Sequence, residues 1–354
     1  MSAKRYGYLT VLIVPALMPF AAWLGQQTAA PNLSAWFPLL FLFVILPLAD
    51  YAIGRDPENP DAGEAERLER DPWYRALTLA CLPIYLTLLV WSGAHFAHAG
   101  FELGGAIGWL LSQGVIGGIL AINVAHELIH KSGRLEPIAG GLLLSSVGYG
   151  TFKVEHLRGH HVHVSTPRDA SSARFGQNVY AFVAQSIPRN IANAWRLEAE
   201  RLERSALPWW RNELLLWSAL TLALLAAFAM TFGALGAVFF IVQCGGAIVS
   251  LEIINYIEHY GLERREIAPG RYERTTHLHS WNSNYRLTNW MLFQLQRHSD
   301  HHENARRRYQ ALMHYDESPQ LPGGYASMFL LALIPPLWFA LIDPRVRAFK
   351  AAHA

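Results

Sequence analysis

Long apolar runs alternate along this chain with polar, charged stretches, and the lengths of the runs set the first expectation. Apolar residues dominate at about 8–24, 35–53, 76–94, 104–125, 212–232 and 234–257. Each run is near the ~20 residues a helix needs to cross a bilayer, so six transmembrane helices are predicted. Two further apolar runs, 137–150 and 325–342, do not qualify. The first is too short and the second is broken by Pro335-Pro336, so both are predicted to lie in the membrane plane or to re-enter it.

The polar stretches complete the outline. An uncharged turn containing Pro31 and Asn32 makes the first two helices an antiparallel pair. Residues 54–75 read as a linker with a short amphipathic helix around Glu64–Arg70. The alternation of Arg and Glu with apolar residues in Trp195–Arg211 predicts an amphipathic helix on the membrane surface. The fourth run carries Gly104, Gly105, Gly108, Gly114, Gly117 and Gly118, small residues that allow helices to approach closely.

Composition agrees with a membrane protein. Of 354 residues 52% are hydrophobic and 16% charged, against roughly 25% charged in soluble domains. The charges orient it, because cytoplasmic loops collect Lys and Arg. All 29 Lys and Arg fall on one side of a six-helix arrangement, and the opposite loops near 25–34, 95–103 and 232–234 carry none. Both termini are therefore predicted to be cytoplasmic. Pro15 and Pro19 interrupt the first run and argue against a cleaved leader. A net charge of +2 gives no nucleic-acid footprint, and Cys81 and Cys244, both within predicted spans, read as packing residues.

The candidate chemistry lies in histidines. His298, His301 and His302 are spaced i, i+3, i+4, the spacing of one face of a helical turn. His126 and His130 sit in H-E-L-I-H, His156, His160 and His161 in E-H-L-R-G-H-H, and His259 closes the last apolar run. A helix rises ~1.5 Å per residue, so His126 and His259 emerge at the same cytoplasmic boundary of their spans. His95 and His98 fall on the far side. Nine imidazoles exceed the four that a tetrahedral zinc accepts, and two metals are the economical reading. On a helix His156 and His160 share a face while His161 is rotated by ~100°, which would send His160 and His161 to different metals. Glu252, Asn255 and Glu258 lie near the membrane boundary, where an unpaired carboxylate is expensive, and are expected to bond to the ligand rings. Glu127, Glu155 and Asp300, each next to a histidine of the set, are expected to do the same.

H-E-x-x-H alone describes a zinc hydrolase with Glu127 as base, and an intramembrane zinc protease is a competing reading. It would leave six of the nine histidines idle. Imidazole-rich ligation also suits iron.

The segments H-E-L-I-H-K, E-H-L-R-G-H-H-V-H-V-S-T-P-R-D, N-Y-I-E-H-Y-G-L, H-S-W-N-S-N and L-Q-R-H-S-D-H-H-E-N-A-R-R-R-Y-Q together resemble the membrane-bound alkane 1-monooxygenases. These belong with the integral-membrane fatty acid desaturases and hydroxylases. The likeness runs from about Pro47 to Pro344, with Ile129 where Gly is usual and Asp169-Ala170 where Asp-Pro is common. It implies two non-haem iron ions held by His126, His130, His156, His160, His161, His259, His298, His301 and His302. It implies terminal hydroxylation of linear alkanes by O2, one oxygen atom leaving as water. Two electrons must come from outside, since the chain has no C-x-x-C pair and no Gly-rich nucleotide loop. The resemblance points to a rubredoxin, reduced by an NAD(P)H-dependent reductase. Aryl-methyl hydroxylation and acyl desaturation are the alternatives within the superfamily.

The expected whole is one membrane-embedded catalytic domain, 1–354, in a bacterial-type inner membrane, with cytoplasmic catalytic segments 126–211 and 258–324. An alkane offers nothing to hydrogen-bond, so it must be held by burial and shape, at roughly 0.8 kcal/mol per methylene. Leu42, on the second span, is the candidate for lining its tunnel. Arg297, Arg306, Arg307 and Arg308, beside the last ligand turn, are expected to meet an acidic rubredoxin.

Overall fold

A helix of 47 residues, Glu213–His259, would be ~70 Å long if straight, more than twice the ~30 Å of hydrocarbon in a bilayer. It folds back at Gly233, whose φ of 67° and ψ of −154° are open to a residue without Cβ. Thr221 and Cys244, about equally far on either side of that glycine, both meet Gly148. Phe228 likewise stacks on Phe239 at 5.8 Å. The helix is thus two antiparallel limbs, 213–232 and 234–259.

This computed structural model describes residues 2–353; Met1 and Ala354, the ends predicted to be cytoplasmic, lie outside the described residues. Besides the folded helix, four helices are long and apolar enough to cross a membrane: α1 (Lys4–Thr28), α2 (Pro31–Ile53), α3 (Pro72–His98) and α4 (Leu103–Ile129). With the two limbs they make six apolar crossings in a multi-pass helical membrane protein. Between them lie α5 (Leu135–Ser146), buried against the ends of its neighbours, and α6 (Val179–Arg204). The folded helix is α7, the last ligand turn is α8 (His298–Glu303), and α9 (Tyr325–Ala332) and α10 (Pro335–Ala352) meet at a bend of 120°. A two-stranded hairpin, β1 (Glu266–Ala268) with β2 (Arg271–Tyr272), projects from the loop after α7.

Helix starts follow capping chemistry. Asp71 accepts the Trp73 N–H at 2.9 Å to begin α3, and Asn212 accepts that of Leu214 at 2.9 Å to begin α7. The same chemistry corrects the amphipathic helix expected over Trp195–Arg211. Asn178 accepts the Ala181 N–H at 2.9 Å, so the helix starts at Val179 and ends at Arg204.

α9 and α10 do not form a straight span. Trp338, Ile342 and Val346 are buried against Tyr256 and Tyr260 at the end of α7. Pro335 and Pro336 cannot donate to a preceding turn, which is where the chain bends. Pro47 similarly clashes with the carbonyl four residues before it, and α2 opens there into a π-helical turn over Phe41–Ile45.

Two helices carry ligands into the interior, α4 and the second limb of α7. They cross where Gly114 faces Gly246, so closely that a Cβ built on Gly114 would lie 2.8 Å from the Gly246 Cα. Cys81 and Cys244 are buried free thiols, and His95 stacks on Trp91 and Trp109, away from the ligand turns.

Candidate metal centre

The nine histidines converge in two sets. His126, His130, His156, His161 and His301 form one, and His160, His259, His298 and His302 the other, the ligand atoms of each set lying within 4.8 Å of one another. α4 delivers His126 and, at its end, His130; the second limb of α7 delivers His259. The rest come from two short helical stretches that lie against these ends, 151–163 and α8.

The partition separates His160 from His161, as expected, but departs from the helical-face expectation at His156. His156 and His160 fall into different sets, whereas His156 and His161 share one, their Nε2 atoms 3.0 Å apart. The cause is a π-helical turn over His156–His160, in which the His161 N–H donates to the His156 carbonyl five residues back. In such a turn residues five apart face alike. α8 divides as well: His298 and His302 serve one set and His301 the other.

The spacing of the nitrogens tests whether metals fit. In the first set Nε2 atoms are separated by 3.0 Å (His130–His156), 3.0 Å (His156–His161) and 3.2 Å (His161–His301). In the second the separations are 3.2 Å (His160–His302), 2.9 Å (His302–His298) and 3.2 Å (His298–His259). A neutral imidazole has one N–H, yet the Nε2 of His156 faces two other rings, and so does that of His302. The His126 Nε2 is buried with no hydrogen-bond partner. Nitrogens on a metal at ~2.1 Å lie ~3.0 Å apart at a right angle and ~3.4 Å apart at the tetrahedral angle. The observed spacings lie at or between these values, so the nitrogens of each set are spaced to share a metal.

Burial holds His130, His156, His161, His298, His301 and His302 well below the ordinary imidazole range, which leaves their lone pairs free. His160 differs. Burial would lower it, but the Asp169 carboxylate, 2.9 Å from its Nδ1, raises it overall. Asp169 is fixed in turn by the Ser172 hydroxyl at 2.6 Å and the Ser171 N–H at 3.1 Å. The contact turns the His160 Nε2 toward its set. Sequence reading noted Asp169 only as a departure in a motif; its signal was a lone acid in the loop after the paired histidines. Ser280, 3.4 Å from the His259 Nδ1, had none.

Of the carboxylates and amide expected to bond to ligand rings, Glu258 reaches one, but its Oε2 lies 3.2 Å from the His298 Nε2, the nitrogen that faces the set, and so on the metal side of the ring rather than behind it. The others bond elsewhere. Glu127 pairs with Lys131 at 2.9 Å, Glu155 accepts from Asn193 at 3.1 Å, and Asp300 takes both its oxygens to Arg307 at 2.6 Å. Each is next to a ligand on a helical turn and so points ~100° away from it. Burial pushes the Glu155 carboxyl up to about 8. Asn255 donates to Glu252 at 3.3 Å, and Glu252 also accepts from Tyr149 at 2.8 Å and Asn190 at 3.3 Å, bracing α6 against α7.

An apolar cavity ends on the histidines, touching His126 and His156 of one set and His298 of the other. Leu42, Leu46, Ile119, Leu251 and Phe329 are among its walls. The widened turn in α2 directs Leu42 inward, where it is 2% exposed. Asn123, Ser250, Asn255 and Thr288 also border the cavity, but their donors are bonded to protein groups. Glu258 Oε1 and the Tyr325 hydroxyl, which also border it, have no partner.

The arginines expected to form a docking patch are mostly structural. Arg297 is buried and donates to the carbonyls of Leu312, Asp56 and Glu58. Arg307 pairs with Asp300 and Arg308 with Glu136. Arg306 alone of the four is exposed and without an ion pair among the described residues.

Histidine sets of this kind on a multi-pass helical frame define a membrane metalloprotein, and residues 102–332 match the family described as fatty acid desaturase. Over nearly its whole length the chain is 53% identical to alkane 1-monooxygenase 2 of Pseudomonas aeruginosa, covering 99% of this chain and 94% of that protein. It is 54% identical to alkane 1-monooxygenase 1 of the same bacterium, covering 100% and 94%. A more distant relative is the xylene/toluene monooxygenase hydroxylase component XylM of Pseudomonas putida, 32% identical over 70% of this chain and 66% of that protein. The chain belongs to the alkane 1-monooxygenase family.

Proposed function

We propose that the chain converts linear alkanes to primary alcohols with dioxygen, at two non-haem irons held by the nine histidines and supplied with electrons by a rubredoxin. An NAD(P)H-dependent reductase recharges the rubredoxin. The observation that carries this reading is the cavity: its walls are apolar, and it ends on rings from both histidine sets. A methyl group at that end lies beside both metals.

Iron bound there supplies the reductive cleavage of dioxygen. The reaction takes up two electrons and two protons, places one oxygen atom in the C–H bond and releases the other as water. The chain's own residues do the rest. Asp169 orients the ring of His160 through its Nδ1. Leu42, Leu46 and Phe329 bind the alkyl chain by burial, at roughly 0.8 kcal/mol per methylene, and exclude water from the reacting end. The donors of Asn123, Ser250, Asn255 and Thr288 are bonded to protein groups, while the Tyr325 hydroxyl and Glu258 Oε1 stay unpaired at the wall, so the preference for an alkane over an acyl chain rests on the relatives named for alkanes.

The five donors of the larger set speak against a zinc protease with Glu127 as base, and so does the Glu127–Lys131 pair. Aryl-methyl hydroxylation is the second reading, favoured by the relative named for xylene and toluene. We read the chain as one membrane-embedded catalytic unit with 126–211 and 258–324 on the cytoplasmic side of a bacterial-type inner membrane, as the one-sided distribution of its 29 Lys and Arg supports.

The test is product analysis with isotopically labelled dioxygen, rubredoxin, its reductase and NADH, offered a series of n-alkanes and p-xylene. Labelled primary alcohols from the n-alkanes are expected. Label only in the benzylic alcohol would favour the second reading, and unsaturated products without label would overturn both.

A further inference from the structure

Seven of the nine ligand histidines are buried, and the two that reach the surface, His130 and His161, belong to the same set. Their rings are 4.5 Å apart, centroid to centroid, so they form one solvent-reachable edge of the centre. Electron tunnelling weakens steeply with distance, and a carrier that cannot enter the protein must approach where the centre is nearest to solvent.

The chain around that edge is distinctive. Three segments leave it, each starting within a few residues of a ligand: 131–134 after His130, 162–163 after His161, and 303–306 after His301, whose ring is 4.8 Å from His130 and 4.9 Å from His161. Lys131 Nζ, donating to the Arg307 carbonyl at 3.0 Å, ties the first segment to the end of the third. Val162, in the second segment, is an apolar side chain 54% exposed next to the ligand His161. Arg134 and Arg306 are both exposed, and neither has an ion pair or side-chain hydrogen bond among the described residues. The acids in and flanking these segments along the chain are occupied, Glu127 with Lys131, Glu136 with Arg308 and Glu303 with His277, and the exposed Glu69 lies on the Arg308 side. An exposed apolar side chain with two unpaired arginines in the neighbouring segments complements an acidic protein surface.

We infer that the electron carrier docks on this face, touching Val162 beside His161 and steered by Arg134 and Arg306, so that electrons enter through the His130–His161 edge. The inference rests on the carrier-dependent monooxygenase reading and narrows the docking site to residues that do not ligate metal. It replaces the arginine cluster that sequence suggested, of which Arg306 alone remains.

The test uses the full-length metallated enzyme and purified rubredoxin in steady-state turnover, comparing wild type with the double variant Arg134→Glu/Arg306→Glu. Electrostatic focusing is worth roughly 10 to 10³ in association rate, so KM for rubredoxin should rise at least about tenfold at low salt. The gap should narrow as salt is added, because the Debye length falls from ~10 Å at 0.1 M to ~3 Å at 1 M. Metal content and turnover driven by dithionite should match wild type. The same charge change at Arg211 and Arg345, exposed elsewhere on the molecule, should leave KM for rubredoxin unaltered. An unchanged KM in Arg134→Glu/Arg306→Glu, or an equal rise in the Arg211/Arg345 control, overturns the docking face. If wild type turns over with dithionite but not with rubredoxin, the carrier reading itself fails and the docking face with it.

Discussion

The Nδ1 of His160 and the Oδ2 of Asp169 lie 2.9 Å apart in a site closed to solvent, with both side chains 2% exposed or less. The contact fixes which ring nitrogen of His160 faces the four-histidine set. Replacing such a partner typically costs 10- to 100-fold in metal affinity or activity. Asp169→Asn keeps the shape and removes the charge, so the four-histidine set should lose metal first. Titration with a chelator should show one metal per chain released at ~10- to 100-fold lower chelator concentration than in wild type. Simultaneous release of both metals at the wild-type concentration would contradict this role.

Gly114 and Gly246 let the two ligand-bearing helices touch backbone to backbone. Gly114→Val should force them apart at a cost of ~1 to 3 kcal/mol and move His126 relative to His259. Lower metal content and a lower unfolding temperature in detergent are expected. Gly104→Val, where a Cβ meets nothing within 4 Å, is the matched control and should change neither.

Leu42, on α2, borders the cavity. Leu42→Trp should shorten the longest accepted n-alkane while sparing short ones, since overpacking costs ~1 to 3 kcal/mol to any chain that must pass it. Relative product yields across an alkane series decide the point. An unchanged profile in a fully metallated variant would remove Leu42 from the path.

The turn carrying His156, His160 and His161 is pinned by ion pairs outside the membrane. Arg158 bonds Glu198 at 2.5 Å and Glu213 at 2.9 Å, and Arg201 bonds Glu198 at 2.6 Å. Burial alone would raise Glu198, but Arg201, the Glu213 N–H and Arg158 outweigh it and hold its carboxyl at about 2, below the ordinary 4.5. A depressed carboxyl contributes stability that is present above pH 4.5 and lost as pH falls toward 2. Glu198→Gln should therefore unfold more easily than wild type at pH 7, by roughly 1 to 3 kcal/mol. The difference should shrink as the pH is lowered through 4 toward 3, as read by thermal unfolding in detergent. A constant gap across that range would assign the loss to packing rather than charge.

Much of this was legible before any coordinates, for identifiable reasons. Apolar runs of span length and the one-sided Lys and Arg mark the six crossings, because lipid and charge constrain every residue of those segments. The i, i+3 and i+4 spacings mark eight of the nine histidines, because metal ligation needs several donors from short stretches, and His259 was marked only by its place at the end of an apolar run. Their grouping was hidden by the π-helical turn at 156–160, since a helical-face argument assumes 3.6 residues per turn. Contacts across the chain were equally hidden. Asp169 reaches His160 through a loop, and the buried course of Arg297 depends on the carbonyls of Asp56 and Glu58, more than two hundred residues away. A charge next to a ligand in sequence says little about where it points, as Glu127, Glu155 and Asp300 illustrate.

The central claim is that the two histidine sets each hold an iron. Elemental analysis of the purified, active chain tests it most directly. Two irons per chain are predicted, falling toward one when Asp169→Asn protein is treated with a mild chelator. One stoichiometric zinc per chain with no iron would contradict the account.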